Sequence, residues 1–165
     1  GLAILDNDGK NRQDVDGGAL TITYWKRYET ENYFITPDVL LAYVEAEMPP
    51  LFAGAIGEVL DELIRERVFS GNSRDFQTWK TLPPDAWRLL WQAQTQRIKL
   101  SDFAEEFFRR LALNNGLPML LRKGELHRLI PYTNPTLIDD EVRAKLNALQ
   151  LCFEHAIPEE TPTEG

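Results

Sequence analysis

The apolar positions of this chain change period near residue 36. Before it they run together or alternate, as in strands, and after it they recur every three or four residues, as on one face of a helix. Leu2-Ala3-Ile4-Leu5 is a short apolar run that reads as a strand delivering Asp6 and Asp8 onto a turn at Gly9. Gly9 to Gly18 is polar and rich in turn formers, which predicts a mobile surface loop able to close over a ligand. Leu20 to Trp25 is dense in β-branched and aromatic residues and predicts a second strand that runs up to the polar segment Tyr28-Glu29-Thr30-Glu31-Asn32-Tyr33. If that strand continued, Glu29 and Glu31 would face one side. Asn32-Tyr33-Phe34 instead suggests a chain turning back into the core, and Glu29 reads as an exposed strand-end charge.

Beyond Ile35 the pattern is helical. Thr36 is an N-cap before Pro37, and Val39, Leu40, Tyr43 and Val44 follow at helical spacing. Pro49 and Pro50 close that helix and open another, whose stripe of Phe52, Ile56, Val59, Leu60, Leu63 and Ile64 runs to Phe69, where Ser70-Gly71-Asn72-Ser73 breaks it. A third helix starts near Pro84 and carries Trp87, Leu90 and Trp91. A fourth starts at Ser101 with acidic Asp102 and Glu105 in its first turn, an apolar face of Phe103, Phe107, Phe108 and Leu111, and Asn114-Asn115-Gly116 as its stop. Lys123-Gly124 marks a turn before a brief helix, and a last helix spans about Ile138 to His155. The predicted class is α/β, mostly helical. Residues 1–36 supply two strands and an acidic loop, 37–116 a helical bundle or insert, 117–157 the Lys-Gly turn and C-terminal helices, and 158–165 an acidic, proline-bearing end expected to be disordered.

Composition narrows the picture. The 165 residues, 43% hydrophobic, suffice for one domain with a real core or for the larger half of a cut one. The chain opens inside an apolar strand with no Met, so a further segment upstream is expected. No apolar run approaches the roughly 20 residues that span a bilayer, so a cytoplasmic protein with no membrane partner is expected. Cys152 is the single cysteine, which excludes an intrachain disulfide, and its apolar neighbours predict a small buried hydrophobe. A net charge of -8 argues against a broad basic surface for nucleic acid, although Arg88, Arg97, Lys99, Arg109, Arg110, Arg122, Lys123 and Arg128 make one stretch locally basic. The two histidines, His127 and His155, lie far apart and lack zinc-ligand spacing.

Candidate chemistry gathers in the first third of the chain. Residues two apart in a strand face the same side, so Asp6 and Asp8 can converge on a hard divalent cation, which prefers oxygen ligands, and Glu31 at the end of the next strand offers a third carboxylate. An apolar strand ending in Asp6-Asn7-Asp8, then an aromatic-basic strand ending in Glu31-Asn32-Tyr33, then a helical insert and Arg122-Lys123-Gly124-Glu125-Leu126, resembles the C-terminal half of a Toprim domain of the OLD nuclease type. That resemblance implies a hydrolase cleaving DNA with Mg2+ or Mn2+ held by Asp6, Asp8 and Glu31, and Lys123 facing the scissile phosphate. It also implies an ATPase domain or subunit as partner and a place in phage defence or DNA repair, and self-association into a homo-oligomer is a further expectation. The family's first motif, a glutamate with a glycine turn, has no counterpart before Leu2, so one ligand is expected to be missing and the fragment to be inactive alone.

Three other readings compete. A haloacid-dehalogenase-type phosphatase would use Asp6 as nucleophile and Asp8 as acid, with Asp139-Asp140 as a late acidic motif, but it needs further parallel strands. A calcium loop starting at Asp6 would want a glycine where Asn11 stands and a glutamate where Gly17 stands. A non-catalytic interaction module would dock Trp79, Trp87, Trp91 and the amphipathic helices on a partner ATPase, with Asp6 and Asp8 merely shaping a turn.

Overall fold

In the computed structural model, which describes residues 1–48 and 53–155, the change of period marks the border between a small sheet and a helical core. The sheet holds β1 (Leu2–Leu5), β2 (Val15–Asp16) and β3 (Thr21–Tyr24) in the order β1-β3-β2. β1 and β3 run parallel, with Leu2 opposite Thr21 and Leu5 opposite Tyr24, while β2 pairs antiparallel with β3. Parallel neighbours need a long return connection. Here residues 6–20 provide it, and the two-residue β2 lies within it.

The segment expected to be a mobile loop is therefore partly fastened down. Asp14 Oδ1 accepts from the Tyr24 N–H at 2.9 Å, and Asp16 Oδ1 accepts from the Gly18 N–H at 3.0 Å. β3 would otherwise expose backbone groups along this edge, and β2 with the Asp14 carboxylate satisfies part of that demand.

The helices are α1 (Pro37–Glu47), α2 (Ala53–Arg67), α3 (Ser73–Lys80), α4 (Pro84–Thr95), α5 (Leu100–Asn115) and α6 (Asp140–Glu154). Short 3-10 helices cover Thr30–Tyr33, Lys123–Tyr132 and Pro135–Leu137. The α/β class and its helical bias agree with the sequence pattern. One helix has no counterpart in it: α3 occupies the segment after the Ser-Gly-Asn-Ser break, started by Asn72, whose side chain accepts from the Arg74 and Asp75 N–H groups. The expected helix start at Pro49, Pro50 and Phe52 and the tail from 158 onward lie outside the described residues.

The core sits among α1, α2, α4 and α5, where Leu40, Tyr43, Leu63, Trp91, Phe103 and Phe107 are fully buried. α5 buries Leu100, Phe103, Ala104, Phe107, Phe108 and Leu111 and ends at Gly116, in the left-handed region with φ 63°. Trp79 and Trp91 belong to this core and Trp87 packs against it. Trp79 and Trp91 are thus packing residues, and Trp87 stays partly exposed.

α6 lies beside β1 and buries no residue fully. It is tied down by polar contacts: the Lys26 N–H and the Tyr33 hydroxyl donate to Glu141, Arg27 donates to Asp139 at 2.6 Å, and the Lys145 ammonium donates to Thr23 Oγ1 and the Tyr24 carbonyl at 2.7 and 2.8 Å. Cys152 is exposed on this helix, so the expectation of a buried thiol fails. The reason is geometric, because α6 flanks the sheet and its cysteine face has no layer above it among the described residues. Among those residues no helix is long and apolar enough to cross a membrane.

Candidate metal and phosphate site

The C-terminal ends of parallel strands are where open α/β sheets place ligands, and one candidate carboxylate lies there. Asp6 follows β1 by one residue. Beyond β3 the chain turns into the 3-10 helix Thr30–Tyr33, and Thr30 donates through its N–H and its hydroxyl to Asp6 Oδ1 at 2.9 and 3.0 Å. Among the described residues Asp6 Oδ2 accepts no hydrogen bond. Glu31 is the next residue, half-buried, and its carboxyl pKa is raised by loss of solvent and then by the neighbouring charges of Glu29 and Asp6, with Lys99 opposing. Asp6 is thus tied through Thr30 to the turn that carries Glu31.

The turn that carries Glu31 is anchored on both sides. Glu29 is 5% exposed, and its carboxylate accepts from the Ser101 N–H in the first turn of α5 at 2.6 Å. Asn32 is buried, and its amide donates to the Thr95 and Ile98 carbonyls at 3.1 and 2.9 Å where α4 passes into α5. Glu29 is therefore not the exposed strand-end charge expected of it. β3 stops at Tyr24, the chain turns inward, and α5 offers free N–H groups to meet the carboxylate. Sequence reasoning missed the anchoring roles of both residues. Asn32 gave a faint signal, since a side-chain amide is well suited to satisfying loop carbonyls.

Asp8 does not align with Asp6 as strand alternation predicts. β1 ends at Leu5, and Asp8 and Gly9 are the central residues of a turn closed by the Lys10 N–H on the Asn7 carbonyl at 3.0 Å, with φ of 51° and 68°. The Asp8 carboxylate is exposed and lies 3.8 Å from Arg12. Asn7, buried between the two aspartates, accepts from the Arg12 N–H at 3.1 Å and so holds this turn. The glycine is required here, because a Cβ on Gly9 would stand 3.0 Å from the Tyr28 ring.

Lys123 opens the 3-10 helix that buries Leu126 and Leu129, and this packing sets its position. Its ammonium pairs with Asp102 in the first turn of α5, which raises its pKa, and Glu29 adds to the effect. It therefore reaches the same end of α5 as the Glu29 anchor. Asp139, the acidic motif of the phosphatase reading, instead caps α6 by accepting from the Glu141 N–H and pairs with Arg27. His127 is exposed and His155 follows the last residue of α6, as their sequence positions predict.

Among the described residues no three acidic, cysteine or histidine side chains converge as a metal cage. Mg2+ commonly keeps several waters and binds through one or two carboxylates plus substrate phosphates, and the Asp6–Glu31 pair fits that mode. Comparison with protein-family models, with curated proteins and with solved structures returns no match.

Proposed function

We propose that this chain is the metal-binding part of a Toprim-type domain of the OLD nuclease class, cleaving DNA phosphodiester bonds with Mg2+ or Mn2+ within an ATPase-linked protein, in phage defence. The observation that carries the reading is the pair of hydrogen bonds from Thr30 to Asp6 Oδ1, which ties the carboxylate just past β1 to the turn holding Glu31, with Lys99 and Lys123 at the neighbouring start of α5. Asp6 and Glu31 would hold the ion, which when bound acts as a Lewis acid toward the phosphate and lowers the pKa of water.

The chain's own residues do the positioning. Thr30 fixes Oδ1 of Asp6 and leaves Oδ2 open, and Glu29 and Asn32 hold the Glu31 turn against α5, so the pair is arranged before any ligand arrives. Lys123 brings a compact positive charge that can exchange Asp102 for a phosphate oxygen. Asp8 shapes a turn and faces Arg12, so this reading assigns the ion to Asp6 and Glu31.

A calorimetric titration of Mn2+ tests this. Asp6→Asn and Glu31→Gln should each weaken binding by about tenfold or more, as loss of a charged ligand does, whereas Asp8→Asn should change it by no more than about twofold. Equal affinity in wild type, Asp6→Asn and Glu31→Gln would sink the reading.

A further inference from the structure

The family resemblance points to Lys123 as the phosphate-facing cation, yet the structure commits that ammonium to the Asp102 carboxylate. A second lysine stands at the same end of α5. Lys99 is the N-cap residue of that helix, and its ammonium makes no hydrogen bond among the described residues. Its nearest acid is Glu29, with Nζ to Oε2 at 3.8 Å, beyond hydrogen-bond range. Glu29 is already served at 2.6 Å by the Ser101 N–H, so it does not depend on Lys99 for its only partner.

The backbone under Lys99 is held by hydrogen bonds, and its side chain is partly exposed and only loosely paired. The Lys99 carbonyl accepts from the Asp102 and Phe103 N–H groups, each at 3.2 Å, and the preceding Ile98 carbonyl is held by Asn32, the residue next to Glu31. The Lys99 side chain is 40% exposed. Its ammonium stands 3.8 Å from Glu29, two residues before Glu31 on the same turn. A phosphate approaching this site meets the negative charges of Asp6, Glu29 and Glu31 on a chain of net charge -8, and needs a local cation to offset them.

We infer that Lys99 is a further residue, besides Lys123, through which this site grips a nucleic-acid backbone phosphate. The inference rests on the nuclease reading of the Asp6–Glu31 pair. Lys99 has three ammonium donors, a mobile four-carbon stem and no competing hydrogen bond, whereas Lys123 must first give up Asp102.

The experiment is fluorescence anisotropy of a short labelled DNA duplex with Mn2+ across a salt series, for wild type, Lys99→Ala, Lys99→Arg and Lys80→Ala, with melting curves for each. Lys80 pairs with Asp61 on α2 and serves as the control lysine. Lys99→Ala should bind about tenfold more weakly with a salt slope smaller by about one, as loss of a single phosphate contact predicts, at an unchanged melting temperature. Lys99→Arg should restore binding and Lys80→Ala should match wild type.

Wild-type affinity in Lys99→Ala overturns the inference alone. So does a loss of binding that only follows a lowered melting temperature, because Lys99 then serves Glu29 and the fold. If wild type binds no DNA while its Mn2+ affinity still depends on Asp6 and Glu31, the nucleic-acid reading falls and the inference with it.

Discussion

Glu29 carries a carboxylate into the interior because the start of α5 presents an N–H that no residue of its own helix can satisfy. The pairing serves both sides, since the helix gains an anion at its positive end and the turn gains a fixed point beside Glu31. Glu29→Ala should cost about 2 kcal/mol in urea unfolding, the range for losing a hydrogen bond to a charged group, with little added for the loose and partly exposed Lys99 pair. Glu29→Gln should cost less, because an amide oxygen still accepts; equal losses in the two variants would mean that the Ser101 bond contributes nothing. Asp6 and Glu31 were legible in the sequence as acidic residues at the ends of apolar runs. The Asp6–Asp8 alignment was not, because alternation holds only while a strand lasts, and β1 ends at Leu5 before either aspartate.

Elements were legible where their apolar spacing is long and regular. α5 follows from Phe103, Phe107, Phe108 and Leu111, and its end follows from Gly116, which adopts a positive φ open to few other residues. A Cβ at Gly116 would meet no atom within 4 Å, so Gly116→Ala tests backbone conformation alone. It should lower stability by about 1 kcal/mol, read as a drop in melting temperature, and an unchanged value would show that the left-handed turn does not hold the helix end. α3 escaped notice because eight residues offer only Phe76 and Trp79 as buried anchors, and its start lies inside a segment rich in turn formers. Asn72 is the signal that was present, a residue that stops one helix and caps the next.

The whole molecule divides into a helical core and a sheet end joined to it by polar ties. α5 buries seven residues, whereas α6 buries none and is held through Glu141, Asp139 and Lys145. Native-state hydrogen exchange should therefore find α6 amides opening at lower free energy than those of α5, and equal protection would mean that the two parts unfold as one unit. The sequence by itself determined the α/β class, the border near residue 36, most helices and the acidic candidates Asp6 and Glu31. These depend on side-chain spacing and turn chemistry within a few residues, and such local terms are present in any conformation of the chain. Tertiary structure alone decided that Glu29 is buried and that Asn32 anchors its neighbour. Each of those outcomes depends on the turn after β3 meeting the start of α5, about seventy residues further along, where burial and charge are set by whichever surfaces pack together.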